Sequence, residues 1–71
     1  MKFDRLKDLR EDENMTQQAV ADYLHCQREV YRRYETGERE IPVWALIMLA
    51  DLYKVSTDYI LGRTKRKDPA K

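Results

Sequence analysis

Seventy-one residues with a net charge of +1 make one small domain; a chain this short buries only about 60% of the surface its unfolded form exposes, so it needs closely packed helices, a staple or a partner. One cysteine excludes an internal disulfide, and with one histidine there are too few soft ligands for a zinc site, so no metal or cofactor is expected. No apolar run approaches the roughly 20 residues of a membrane span, and the charged, amphipathic start MKFDRLKDLRED holds no signal-peptide stretch, so the chain is expected to be cytoplasmic with no membrane partner.

Two glycines, two prolines and helical apolar spacing almost throughout predict an all-α domain. Phe3, Leu6 and Leu9 mark one face of a first helix over about residues 2–12, which Asn14 can close in the left-handed conformation. Thr16 is an N-cap for a second helix from about Gln17 to Leu24, with Ala19, Val20 and Leu24 on its buried side. A third helix starts near Gln27, a poor N-cap, and runs to about Thr36, where Gly37 stops it; Val30, Tyr31 and Tyr34 supply its apolar spacing. Pro42 suits the first turn of a fourth helix to about Tyr53. Ser56 caps a short fifth helix, Thr57 to Leu61, closed by Gly62. Residues 1–62 form the folded domain, and the charged tail over residues 63–71 is expected to be disordered.

The charge distribution is more informative than its sum. Residues 1–14 carry four basic and five acidic side chains, whereas residues 63–71 carry five basic against one acidic. Over a long stretch between these ends Arg28, Arg32, Arg33 and Arg39 are the only cations, so a polyanion would find its cations there. Two short helices joined by three or four residues must cross steeply, which needs a small residue, Ala21, at the contact and apolar ones, Val20, Leu24, Cys26, Tyr31 and Tyr34, around it. Gln27, Arg28, Glu29, Arg32 and Arg33 are left on the outer side. A protruding helix fits the major groove of B-DNA, where arginine can donate two bonds to guanine and glutamine can make a two-bond match to adenine. The adjacent His25 and Cys26 are read as a bend, with Cys26 buried as a small hydrophobe; a redox role would lack a second cysteine to resolve it.

The stretch "RLKDLREDENMTQQAVADYLHCQREVYRRYETGEREIP…LADLYKVSTDYILG" resembles the lambda-repressor-like (Cro/repressor, or XRE) helix-turn-helix family over about residues 3–62. The specific pieces are "LR" before the turn, "TQ" opening the second helix, "YETGER" after the third and "LADLYKVSTDYILG" at the end. The resemblance implies a five-helix DNA-binding domain that regulates transcription, usually as a dimer on a two-fold symmetric operator, and the leading expectation is a repressor that binds such a site as a homodimer. It also implies roles. Gln17 matches a glutamine that bonds a phosphate and braces the recognition helix. Gln27, Arg28, Glu29 and Arg33 match positions facing base edges or flanking phosphates, with Arg32 beside them, and Arg39 joins the phosphate contacts. Arg10 and Glu35 match a partly buried salt bridge between the first and third helices. Three positions depart from the family pattern: His25 stands where glycine is usual at a bend with positive φ, Tyr31 replaces a smaller aliphatic residue, and Glu29 could accept from a cytosine amino group or only orient a neighbouring arginine.

Val43 to Ala50 are apolar without interruption. Leu46, Leu49, Ala50 and Tyr53 form the inward stripe by spacing, which leaves Trp44 and Met48 for a homodimer contact that Tyr59, Ile60 and Leu61 can join. The competing reading is an antitoxin-like or adaptor module that uses this fold to bind a protein partner, with DNA contact secondary. An enzyme is not expected: there is no glycine-rich phosphate loop and no recognisable partner for the single histidine. No second domain and no pocket-sized sensor module are expected, so control is expected to come from abundance, another protein or competition.

Overall fold

Five helices carry residues 2–66, the residues that the computed structural model describes: α1 (Asp4–Asp12), α2 (Gln17–Tyr23), α3 (Arg28–Thr36), α4 (Val43–Tyr53) and α5 (Thr57–Leu61). No strand occurs among the described residues, in line with the all-α expectation. Of the tail expected to be disordered, residues 67–71 lie outside the described residues, while Arg63 and Thr64 at its start are tied to the domain by the hydrogen bond from the Arg63 amide to the Asp58 carbonyl and by Arg5.

The caps act where the sequence places them. Thr16 Oγ accepts from the Ala19 amide at 3.0 Å, and Ser56 Oγ accepts from the Tyr59 amide at 3.0 Å. Each satisfies an amide that the first helical turn would otherwise leave open. Gln27 has the extended backbone of an N-cap but makes no side-chain cap bond, so its amide group stays available for other work. Pro42 stands one residue outside α4, at the N-cap, where its carbonyl accepts from Ala45 and Leu46 at 3.1 Å each. Its fixed φ of −71° suits both positions, and a ψ of 156° keeps it out of the helix.

Four of the five helices end the same way. After α1, α2, α4 and α5 a residue with positive φ, namely Asn14, His25, Lys54 and Gly62, turns the chain. The next amide then returns to a carbonyl five residues back: Met15 to Arg10, Cys26 to Ala21, Val55 to Ala50 and Arg63 to Asp58, at 2.9–3.0 Å. This is the Schellman arrangement, which satisfies carbonyls that would otherwise be orphaned. α3 differs: Gly37 takes φ +83°, and the Arg39 amide reaches back to the Arg33 carbonyl at 3.2 Å.

The core gathers one face from each helix: Leu6 and Leu9, Val20 and Ala21 with Leu24, Tyr31 and Tyr34, the α4 stripe Ala45, Leu46, Leu49, Ala50 and Tyr53, then Val55 and Ile60. Each fully buried aliphatic side chain contributes about 1.5–3 kcal/mol. α2 packs on α3, α1 touches both α3 and α5, and α4 touches α5. Ala21 is fully buried, consistent with its expected place at the contact of the crossing helices. No helix among the described residues is long and apolar enough to cross a membrane.

The unburied side of α4 differs from expectation. Val43, Trp44 and Ile47 are the exposed apolar residues, at 70%, 50% and 50%. Met48, expected beside Trp44, packs partly against the core, and its carbonyl accepts from the Tyr23 hydroxyl at 3.1 Å. Ile60, expected on the same outer surface, is 1% exposed: it is spent filling the body of the domain and presents nothing outward. Tyr59 is half-buried under the Arg5 guanidinium, which lies 4.0 Å from its ring centre.

Candidate nucleic-acid interface

α2, the bend at His25 and α3 form a helix-turn-helix whose second helix presents one side to water. About 3.6 residues per turn puts Tyr31, Tyr34 and Glu35 on the inner side of α3 and Glu29, Arg32, Arg33 and Thr36 on the outer, with Glu29 and Thr36 two turns apart along its centre. Gln27, Arg28, Glu29 and Arg33 are exposed, Arg32 is half-exposed, and Gln17 is half-buried at the first position of α2. Arg39 is exposed in the loop past α3.

The bend depends on a strained residue. His25 has φ +58°, in the left-handed region that histidine tolerates better than most side chains. Cys26, expected to be buried, is only half-buried against the core, and burial pushes its thiol pKa up, which keeps it protonated and unreactive at neutral pH.

α3 is braced from behind by charge. Arg10 donates from Nε to Glu35 Oε2 at 2.7 Å and from NH2 to Oε1 at 3.3 Å, while NH1 donates to the Met15 carbonyl at 2.8 Å. One guanidinium therefore ties α1, the α1–α2 turn and α3 together. Glu35 is 5% exposed, and its hydrogen bond is the main cause that holds the Arg10 pKa above its usual value. Beside this pair lie the hydroxyls of Tyr31 and Tyr53, both buried without a hydrogen-bond partner of ordinary geometry. Burial first, then the Glu35 charge, pushes Tyr53 up to about 12; burial first, then the close approach of the Glu35 carboxylate, pushes Tyr31 up further. Both tyrosines stay neutral, and Tyr31, bulkier than the aliphatic residue usual there, fills the space under α3.

The outer side carries a second charge group. Arg32 donates from Nε to Glu29 Oε1 at 2.7 Å, from NH2 to Glu29 Oε2 at 2.8 Å, and from NH1 to Glu38 Oε2 at 2.9 Å. Glu38 Oε2 also accepts from the Thr36 hydroxyl at 2.9 Å. Arg33 approaches Glu29 more loosely, with Nε 3.6 Å from Oε2. The Arg32 hydrogen bond, helped by the charges of Arg32, Arg33 and Arg28, pulls the Glu29 carboxyl down to about 2. Arg32, expected among the DNA contacts, thus has every guanidinium nitrogen committed to a carboxylate, whereas Arg28 and Arg33 remain displayed. Glu38 and Thr36 were not legible as participants, because only the turn at Gly37 brings Glu38 back over the helix.

A further arginine was missed. Arg5 NH1 donates to the carbonyls of Tyr59 at 2.7 Å and Thr64 at 2.6 Å, stapling the segment after α5 onto α1. Its only sequence signal was a cation near the apolar face of the first helix.

A family profile described as a helix-turn-helix domain matches residues 4–59. Among curated proteins of Bacillus subtilis (strain 168), the HTH-type transcriptional regulator AnsR is 43% identical over 70 residues, covering 99% of this chain and 60% of that protein. The uncharacterized HTH-type transcriptional regulator YobD is 38% identical over 65 residues, covering 92% of this chain and 58% of the relative. The HTH-type transcriptional regulator ImmR is 37% identical over 59 residues, covering 83% and 46%. The chain thus spans about half to three-fifths of the length of these relatives. No solved structure matches it significantly.

Proposed function

The chain belongs to the helix-turn-helix domain family, and from that premise we propose that it is a sequence-specific DNA-binding transcriptional regulator, a repressor that occupies a two-fold symmetric operator as a homodimer. One observation carries the reading: α3 displays Gln27, Arg28, Glu29 and Arg33 on its outer side while the Arg10–Glu35 pair fixes its inner side to the body. A rigid helix presented this way is what major-groove readout requires. Gln17 and Arg39 supply phosphate contacts, which set affinity and salt dependence, and the α3 side chains supply selectivity. Arg32 is reassigned from contact to support, because three of its five N–H donors, one on each nitrogen, are engaged by Glu29 and Glu38.

Selection of binding sites from random duplex DNA, run with sedimentation to fix stoichiometry, tests this. The expected result is two half-sites about 34–36 Å apart, one helical turn, bound by two chains. Arg28→Ala or Arg33→Ala should then weaken operator binding by about 1–3 kcal/mol if that arginine reads a base; an equal loss on random DNA assigns it to phosphate. Failure to retain any duplex at low salt overturns the reading.

The exposed Val43, Trp44 and Ile47, together with a net charge of only +1, favour a second reading, a module that binds another protein through α4. A stoichiometric protein partner, with weak and salt-insensitive DNA binding, would support it over the first.

A further inference from the structure

The first turn of α3 carries a carboxylate, Glu29, on its outer side, which is unexpected on a surface meant to approach phosphates. Yet Glu29 is held in a defined direction. Arg32 engages both of its oxygens, and Arg32 is itself anchored by Glu38, which Thr36 holds. This chain of four side chains starts at the C-terminal end of α3, where Thr36 holds Glu38, and ends in the first turn of its exposed face. A surface carboxylate with rotatable bonds usually has no preferred direction; here the two bonds from Arg32 set it, and Glu38, held by Thr36, steadies that arginine.

The bidentate contact uses about two of the roughly four lone-pair sites on a carboxylate, which leaves acceptor capacity on each oxygen pointing away from Arg32. In the major groove an acceptor finds exocyclic amino groups on cytosine and on adenine. Adenine sets its N7 acceptor beside the amino group, and guanine offers two acceptors; a carboxylate is repelled by both of these edges. Cytosine presents the amino donor without an adjacent acceptor, and the guanine paired with it offers O6 and N7 to a neighbouring arginine. Arg33, at 3.6 Å from Glu29 and half-exposed, is placed to serve it.

We propose that Glu29 is a specificity-determining residue that accepts from the amino group of a cytosine in each half-site, and that Arg32, Glu38 and Thr36 are positioning residues that aim it. The proposal rests on the DNA-binding reading above. Site selection on the unaltered chain, Glu29→Gln and Glu38→Ala tests it, with thermal unfolding to show that each variant folds. The unaltered chain should select cytosine at one position per half-site, with a discrimination of about tenfold or more against other bases there. Glu29→Gln should turn that position toward adenine, the base glutamine matches with two bonds. Glu38→Ala should relax the same position alone and, by freeing Arg32 for a phosphate, steepen the salt dependence by about one phosphate contact. A purely structural role for Glu38 would instead weaken binding evenly, with no change of base preference, and would overturn the positioning assignment. Identical preferences at every position for the unaltered chain and Glu29→Gln would overturn the assignment of Glu29 while leaving DNA binding in place. Absence of binding to any duplex would remove the DNA-binding reading itself, and the proposal with it.

Discussion

Glu35 and Arg10 show how one ion pair can hold the second helix of a helix-turn-helix. Both are largely buried, at 5% and 12% side-chain exposure, so removing one strands the other's charge. Glu35→Ala should cost about 3 kcal/mol, the low end for a buried pair, because Arg10 keeps its bond to the Met15 carbonyl. Urea unfolding measures it; a loss under about 1 kcal/mol would mean that water screens the pair. Glu29 gives a pH prediction of different character. Its carboxyl is held down at about 2 against an ordinary 4.5, so its ion group supports the folded state fully above about pH 4.5 and is lost as pH falls toward 2. Carboxyl NMR titration should place its midpoint well below those of the exposed acids; a midpoint near 4.5 would show that Arg32 does not hold it in solution. The Arg10–Glu35 pair could be anticipated from family resemblance and a Glu29–arginine contact was one of two readings of Glu29, whereas the part of Glu38 could not be anticipated, since sequence spacing alone does not say that Glu38 folds back.

At the scale of the elements, helix ends distinguish the positions. Gly37 needs its positive φ, and any Cβ there would also meet the Lys2 backbone at 3.1 Å. Gly62 has the same strain with open space around it. Gly37→Ala should therefore destabilise by clearly more than the roughly 1–2 kcal/mol expected of Gly62→Ala. Lys54 carries the same strain with a bulky side chain and φ +56°, so Lys54→Gly should stabilise by about 0.5–1 kcal/mol, less what glycine adds to unfolded-chain entropy. Thermal or urea unfolding of the three variants checks the order. Asn14 was legible as a left-handed residue because its short polar side chain tolerates that conformation after a helix, and His25 because the family resemblance puts it where glycine is usual. Lys54 was not, because nothing in lysine marks that conformation. It is imposed by the short link that must bury Val55 directly after α4.

On the whole-molecule scale, the all-helical layout was legible because five apolar stripes, two hydroxyl caps and two glycines agree on it. The outer surface of α4 was legible only in part. A run of eight apolar residues announces excess hydrophobicity, but which of them face outward depends on how α4 sits against α2 and α5, and that geometry placed Met48 and Ile60 inward and left Val43 and Ile47 outside. If this face joins two copies, Trp44→Glu should shift the sedimenting species from dimer to monomer and weaken operator binding without lowering the unfolding temperature much; an unchanged dimer would move the interface elsewhere. The chain has a single tryptophan, and it stands half in water on that same face. Its ultraviolet emission is therefore a label already built into the molecule: a shift to shorter wavelength on concentration would register the indole leaving water, and adding duplex to chains already paired should leave the colour of that light nearly fixed.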